Sequence, residues 1–161
     1  MTSSTIPPVR HTVTVSAGAK HAFDIFAGAM ASWFPHHIGE EEVSDIVVEP
    51  QVGGRWFERG TGGTECDWGR VLAYDPPHRI VLAWHLNGEW RFEPDPARAS
   101  EIEITFTEEG PERTRVEFDH HNFERHGETG ARQRDAVAAA NGWGDILATY
   151  AKTASRPPDR E

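Results

Sequence analysis

EIEITFTEEGPERTRVEFDH, residues 101–120, is the stretch on which the fold turns. Ile102, Ile104 and Phe106 alternate with Glu101, Glu103 and Thr105. After a turn over Glu108 to Arg113, Val116, Phe118 and His120 alternate with Arg115, Glu117 and Asp119. A period of two with one apolar and one charged side belongs to antiparallel strands that have one dry face and one wet face. Beyond Gly130 the period changes. Ala136, Ala140, Trp143, Leu147 and Tyr150 recur at steps of four and three, the stripe of one long amphipathic helix. A sheet that is dry on one side and a helix that is apolar along one stripe must bury those surfaces against each other.

The same pattern extends upstream. Ile46 to Glu49, Arg55 to Arg59, Glu65 to Tyr74 and Arg79 to Leu86 read as further strands, bounded by Pro50, Gly53-Gly54, the glycine-rich Gly60 to Gly63, and Asp75-Pro76-Pro77-His78. Asn87-Gly88 signals a tight turn, and Glu93 to Ala99 an irregular loop. At the start, Val9 to Val15 alternates as a first strand. Ser16 then offers a cap to a helix carrying Ala19, Ala22, Phe23 and Phe26, and a second short turn runs to Trp33-Phe34 before Pro35. The order is strand, helix pair, six-strand meander and long final helix. It predicts an α+β helix-grip domain over residues 9–154, with disordered ends at 1–8 and 155–161. Five stripe residues do not fill the hollow of so curved a sheet, so a pocket is expected between sheet and helix.

Composition narrows the function classes. A chain of 161 residues, 37% hydrophobic, supports one core. Sixteen basic residues against 26 acidic ones give a formal charge of −10, which repels nucleic acid and anionic membranes; neither partner is expected. Cys66 is the only cysteine, so no intramolecular disulfide forms and a reducing cytoplasmic setting is expected. No apolar run approaches the roughly 18 residues of a membrane span, and Met1 to Pro8 has no secretory-signal pattern.

Several short stretches carry a family resemblance: Ala22-Phe23-Asp24-Ile25-Phe26, Trp33-Phe34-Pro35, Glu49-Pro50 with Gly53-Gly54-Arg55-Trp56, Trp68-Gly69-Arg70-Val71, Asp75-Pro76-Pro77, Leu82-Ala83-Trp84, and Gly142-Trp143 leading to Leu147. In this order and spacing the chain resembles the SRPBCC or START-like superfamily of Bet v 1 fold, in the branch similar to the C-terminal domain of the Hsp90 ATPase activator. The resemblance implies a scaffold that holds lipids, polyketides, hormones or other apolar molecules, with a minority of cyclases, hydrolases and ring-oxygenase components. A fold likeness alone supplies no reaction. It makes a homodimer plausible. An Hsp90-type chaperone partner is not expected, since the chain has no room for the co-chaperones' separate N-terminal domain.

The candidate ligand-binding residues are Phe26, Trp33, Trp56, Glu58, Trp68, Arg70, Trp84, Phe106, Phe118, His120, Trp143 and Leu147. Each tryptophan reads first as core filler and second as a flat apolar wall with an indole donor, and the two readings are compatible. Trp84 and Trp143 are expected to meet across the pocket. Glu58 and Arg70 travel with Trp56 and Trp68 by alternation; they form either a solvent-facing pair or an orienting polar group at the wall, and Gly53-Gly54 can shift their parity by one. His120 is the weak catalytic candidate, a general base if a proton lies within reach. His36-His37 is placed near the cavity mouth, but adjacent histidines seldom chelate one ion and no third ligand is spaced to help, so no metal is expected. No cofactor motif occurs, and Asp67 beside Cys66 raises rather than lowers its thiol pKa. The expected function is binding of a small apolar or amphipathic ligand, with a cyclase- or hydrolase-type enzyme or a chaperone-linked module as alternatives.

Overall fold

The computed structural model describes residues 6–36, 39–139 and 142–155. The elements run β1 (Val9–Val15), α1 (Ala19–Gly28), a 3-10 turn at Met30–Ser32, then β2 (Val43–Val48), β3 (Arg55–Gly60), β4 (Glu65–Asp75), β5 (Arg79–Trp84), β6 (Ser100–Gly110) and β7 (Arg113–His121). Short 3-10 turns at Pro96–Arg98 and Phe123–Thr129 precede β6 and follow β7, and α2 (Gly130–Ala138) and α3 (Trp143–Ala154) end the described chain. All seven strands form one antiparallel sheet in the order β1-β7-β6-β5-β4-β3-β2. The meander β2 to β7 is therefore sequential, and only β1 is placed out of turn, beside β7. This is a curled α+β helix-grip sheet with its helices on the concave side.

Alternation fixes which side chains face inward. Ile102, Ile104 and Phe106 on β6 stand beside His120, Phe118 and Val116 on β7, and all six are buried. Their alternates Glu101, Glu103, Thr105, Arg115, Glu117 and Asp119 face out. On the concave side Phe23, Phe26, Trp33, Phe106 and Tyr150 pack ring to ring at 5.0–5.8 Å, mostly edge-on or tilted. The polar ends of these rings are satisfied locally. Tyr150 donates its hydroxyl to the Ala22 carbonyl at 2.6 Å, tying α3 to α1, and the Trp33 indole donates to the Ile25 carbonyl at 3.0 Å.

The C-terminal helix differs from the sequence expectation. It is two helices, α2 and α3, where the stripe predicts one. Gly142 sits in extended conformation as the residue before α3, and a Cβ there would come within 2.1 Å of the Val137 carbonyl oxygen, so the corner closes only on glycine. The inward side of α2 is Gln133 and Val137 rather than Ala136, which is exposed; Ala140 lies outside the described residues. Residues 1–5 and 156–161, within the ends expected to be disordered, also lie outside them, as does His37. Ile6 packs against the core, and Arg134 donates to the Pro7 carbonyl at 3.2 Å.

Candidate functional site

Two bulges in β4 decide which side chains reach the concave side. Trp56 pairs with Gly69 while Phe57 pairs with Asp67, so Trp68 is the extra residue and turns inward between them. A Cβ on Gly69 would strike the Ala83 carbonyl oxygen at 1.8 Å, so this bulge is built on glycine. Downstream the register slips again between Val71 and Ala73, and Leu72 is left facing solvent.

Glu58 and Arg70 are consequently separated. Glu58, 2% exposed, points inward and accepts the Trp68 indole N–H at 2.9 Å and the Gly39 backbone N–H at 2.9 Å. It therefore fastens both an inward indole and the segment after Pro35 to the sheet. Arg70 is a correction to the sequence grouping. The Trp68 bulge, not Gly53-Gly54, reverses its parity, and its guanidinium lies on the outer face, donating to the Gly69 carbonyl at 2.8 Å and stacking over Phe92 at 5.3 Å.

The concave side is not filled along its whole length. Between the sheet, the segment after α1, the turn after β5 and the α2–α3 corner lies a cleft of about 940 Å³. Trp68 and Trp84 form its sheet wall, and Val137, Trp143 and Ile146 its helix wall. Phe34, His36 and Glu40 lie along one rim, and Glu89, Trp90 and Arg91 along the other. Trp84 meets Trp143 edge-on at 5.5 Å and Trp90 at 6.3 Å, while Phe34 lies 4.9 Å from Trp68 and 5.7 Å from Trp143. The walls are thus flat, apolar and indole-rich, and the charged groups sit at the mouth.

Of the twelve candidate residues, Trp68, Trp84 and Trp143 line this cleft. Phe26, Trp33, Trp56, Phe106, Phe118 and Leu147 are buried in the aromatic core beyond it, and Glu58 lies behind Trp68. Sequence reasoning did not select Trp90, Phe34, Ile146 or the rim charges. Trp90 had one signal. It follows the Asn87-Gly88 turn, where Asn87 accepts the Glu89 and Arg91 backbone N–H groups through its side chain, at 2.8 and 3.2 Å, and the Trp90 N–H through its carbonyl, at 2.8 Å. That network holds Trp90 at φ +61°, a left-handed conformation unusual for a bulky residue, and leaves the residue 44% exposed at the cleft.

His120 is fully buried, and its bonds define its protonation. The Trp143 indole can only donate, so its 3.0 Å contact makes His120 Nδ1 the acceptor and leaves the proton on Nε2. That proton goes to Ser100 Oγ at 2.8 Å, and the Ser100 hydroxyl in turn donates to His126 Nε2 at 2.8 Å. Burial, together with the neighbouring His126 and His121, holds the His120 pKa well below its usual value, and burial brings His126 down to about 4. His120 is therefore a neutral link that orients Trp143, with its lone pair already used. It is not a base open to a ligand, which removes the catalytic role considered from sequence. Burial first, then Glu58, Asp67 and Glu41, raise the Cys66 thiol. Among the described residues no cluster of three or more potential metal ligands occurs, and no helix is long and apolar enough to cross a membrane.

Comparison with known proteins agrees with this architecture. Residues 19–154 match the model of the Activator of Hsp90 ATPase homolog 1-like protein family. Among solved structures, an anthrahydroquino-γ-pyrone synthase, Txn09, is 39% identical over 92% of this chain and 97% of its own, with a TM-score of 0.67. The self-sacrificing resistance protein CalC from Micromonospora echinospora is 34% identical over 92% of this chain and 94% of its own, with a TM-score of 0.65. CalU16 from the same organism, at 19% identity and a TM-score of 0.59, shares the fold. No functionally curated protein matches the sequence. With its family model spanning α1 to α3 and two relatives above 30% identity across nearly their whole length, the chain belongs to the Activator of Hsp90 ATPase homolog 1-like family, within the Bet v 1-like superfamily.

Proposed function

We propose that this protein binds a planar, polycyclic aromatic molecule in the cleft between Trp68, Trp84, Trp90 and Trp143. The observation that carries the proposal is the contrast along one concave surface: the aromatic rings pack solidly beneath α1, yet leave about 940 Å³ unfilled at the α2–α3 corner. Flat indole walls suit a flat ligand, whose burial contributes roughly 25 cal/mol per Å² of apolar area, less the cost of immobilising it. The likeness to an anthrahydroquino-γ-pyrone synthase supports a fused-ring ligand in particular. Alizarin, a planar dihydroxyanthraquinone, is the probe. Tryptophan emission should be quenched saturably in the native protein and at least tenfold less tightly in Trp90→Ala. Absence of quenching up to the solubility of alizarin refutes the reading.

A second reading, that the bound molecule undergoes ring closure here, is favoured by the synthase relative alone. With the His120 lone pair engaged, proton transfer falls to rim groups, of which His36 and Glu40 stand on one side and Glu89 on the other. Turnover of an open-chain anthrahydroquinone precursor that is lost in His36→Ala and Glu40→Gln, with alizarin binding intact, supports it. Unchanged turnover removes both residues from the chemistry.

A further inference from the structure

The outer face of the sheet holds a second hollow, of about 390 Å³, on the opposite side of β4 and β5 from the cleft. Its floor is the outward row Ala83 on β5, Ala99 before β6, and His85 just after β5. All three are buried although the face is nominally the wet one. The hollow exists because the two alanines are small, while Val52 and Leu72 on one side and Pro96, Glu101 and Arg125 on the other rise around them. Among the described residues the exposed large hydrophobics are Val52 (67%), Leu72 (43%) and Trp90 (44%). Trp90 belongs to the cleft, and the other two both rim this hollow.

The floor carries one unmet polar group. His85 stacks on Phe92 with ring centroids 5.1 Å apart and planes 14° from parallel, and its Nδ1 lies 2.6 Å from the Glu93 carbonyl oxygen. A carbonyl only accepts, so the His85 proton is on Nδ1 and Nε2 presents a lone pair. That Nε2 is buried, in a residue only 2% exposed, and has no hydrogen-bond partner among the described residues. Leaving such an acceptor unmet costs its full desolvation penalty, more than a made hydrogen bond contributes net. The guanidiniums nearby are engaged: Arg70 with the Gly69 carbonyl, and Arg125 with Glu101 at 3.0 Å. The hollow is thus an apolar bowl without a free guanidinium, and its floor residue His85 carries one unmet acceptor.

We propose that this outer hollow is a binding site for a small aromatic molecule bearing one hydrogen-bond donor, a phenol or an indole, with His85 Nε2 accepting the donor. It is a different site from the cleft and does not depend on the cleft's being occupied.

The test uses the full-length protein with ¹⁵N-labelled histidine, titrated with phenol and, separately, with anisole, which has the same ring and no donor. Phenol should shift the His85 Nε2 resonance saturably, whereas anisole should leave it in place or need at least tenfold higher concentration. Ala83→Leu, which fills the bowl, and Val52→Ser on the exposed rim should each weaken the phenol response at least fivefold while alizarin quenching in the cleft is unchanged. If Ala83→Leu fails to fold, Val52→Ser still decides. Equal responses to phenol and anisole, no response, or an Nε2 already hydrogen-bonded to a buried water in the free protein each overturn the proposal.

Discussion

The two ends of the concave surface are made of the same kind of residue and do opposite things. Beneath α1, the rings of Phe23, Phe26, Trp33, Phe106 and Tyr150 pack ring to ring at 5.0–5.8 Å, and α1 and α3 are bolted together by the Tyr150 hydroxyl on the Ala22 carbonyl. At the α2–α3 corner, Trp68, Trp84, Trp90 and Trp143 touch edge-on but stand around a cleft. The difference lies in the covering element. One end is roofed by two helices in direct contact, and the other by the junction where α2 ends at Ala138 and α3 begins at Trp143. An aromatic residue on this face is thus core or wall according to what stands over it.

The largest effect that breaks this comparison is expected at the packed end. Phe26→Ala removes a ring held by Trp33, Phe106 and Tyr150 and should destabilise the fold by about 3–5 kcal/mol in denaturant titration. A loss below about 1 kcal/mol would mean that this end is as loose as the other.

Acid should act next, through the three buried histidines His126, His120 and His85. His126, at about 4, and His120 and His85, also lowered chiefly by burial, are neutral in the fold, while the unfolded chain takes up these protons near 6.5. Between those values the unfolded state binds more protons, so stability should be level above about pH 6.5 and fall as the pH drops toward 4, by on the order of 2–3 kcal/mol for His126. Denaturation midpoints measured from pH 7.5 to 4 check the slope. A flat profile would contradict the neutral Trp143–His120–Ser100–His126 chain.

The corner itself is probed by Gly142→Ala, whose Cβ would overlap the Val137 carbonyl. About 1–3 kcal/mol should be lost as the α2–α3 junction shifts, together with weaker alizarin quenching. The smallest stability effect is expected for Trp90→Ala. A half-exposed ring at φ +61° should be replaceable within about 0.5–1 kcal/mol, even though ligand affinity falls tenfold. A large stability loss without an affinity change would make Trp90 a structural residue.

The meander was legible because strand alternation is a local signal: Ile102 through Phe106 and Val116 through His120 declare their faces in sequence. Parity at β4 was not. Trp68 and Arg70 are two apart, and only pairing with β3 reveals that Trp68 is an extra residue between Asp67 and Gly69, the partners of Phe57 and Trp56, which sends one inward and the other out. The helix break was hidden for a similar reason. Gly142 signals a bend, but the requirement for glycine comes from the Val137 carbonyl, set by the tertiary turn. The sequence reading also could not divide the aromatic residues between core and cleft, since Phe26 and Trp84 look alike until α1 is placed over one and the corner over the other. Trp90 escaped because its importance comes from the backbone trap that Asn87 builds around it.

The central claim is that the open end of this surface is where a ligand binds, and crystals of the protein soaked with alizarin test it most directly. The account predicts flat density between Trp84, Trp90 and Trp143 with the rings of Phe26, Phe106 and Tyr150 unmoved. Density lodged beneath α1 with those rings displaced, or a cleft that stays empty while alizarin binds elsewhere, would contradict it.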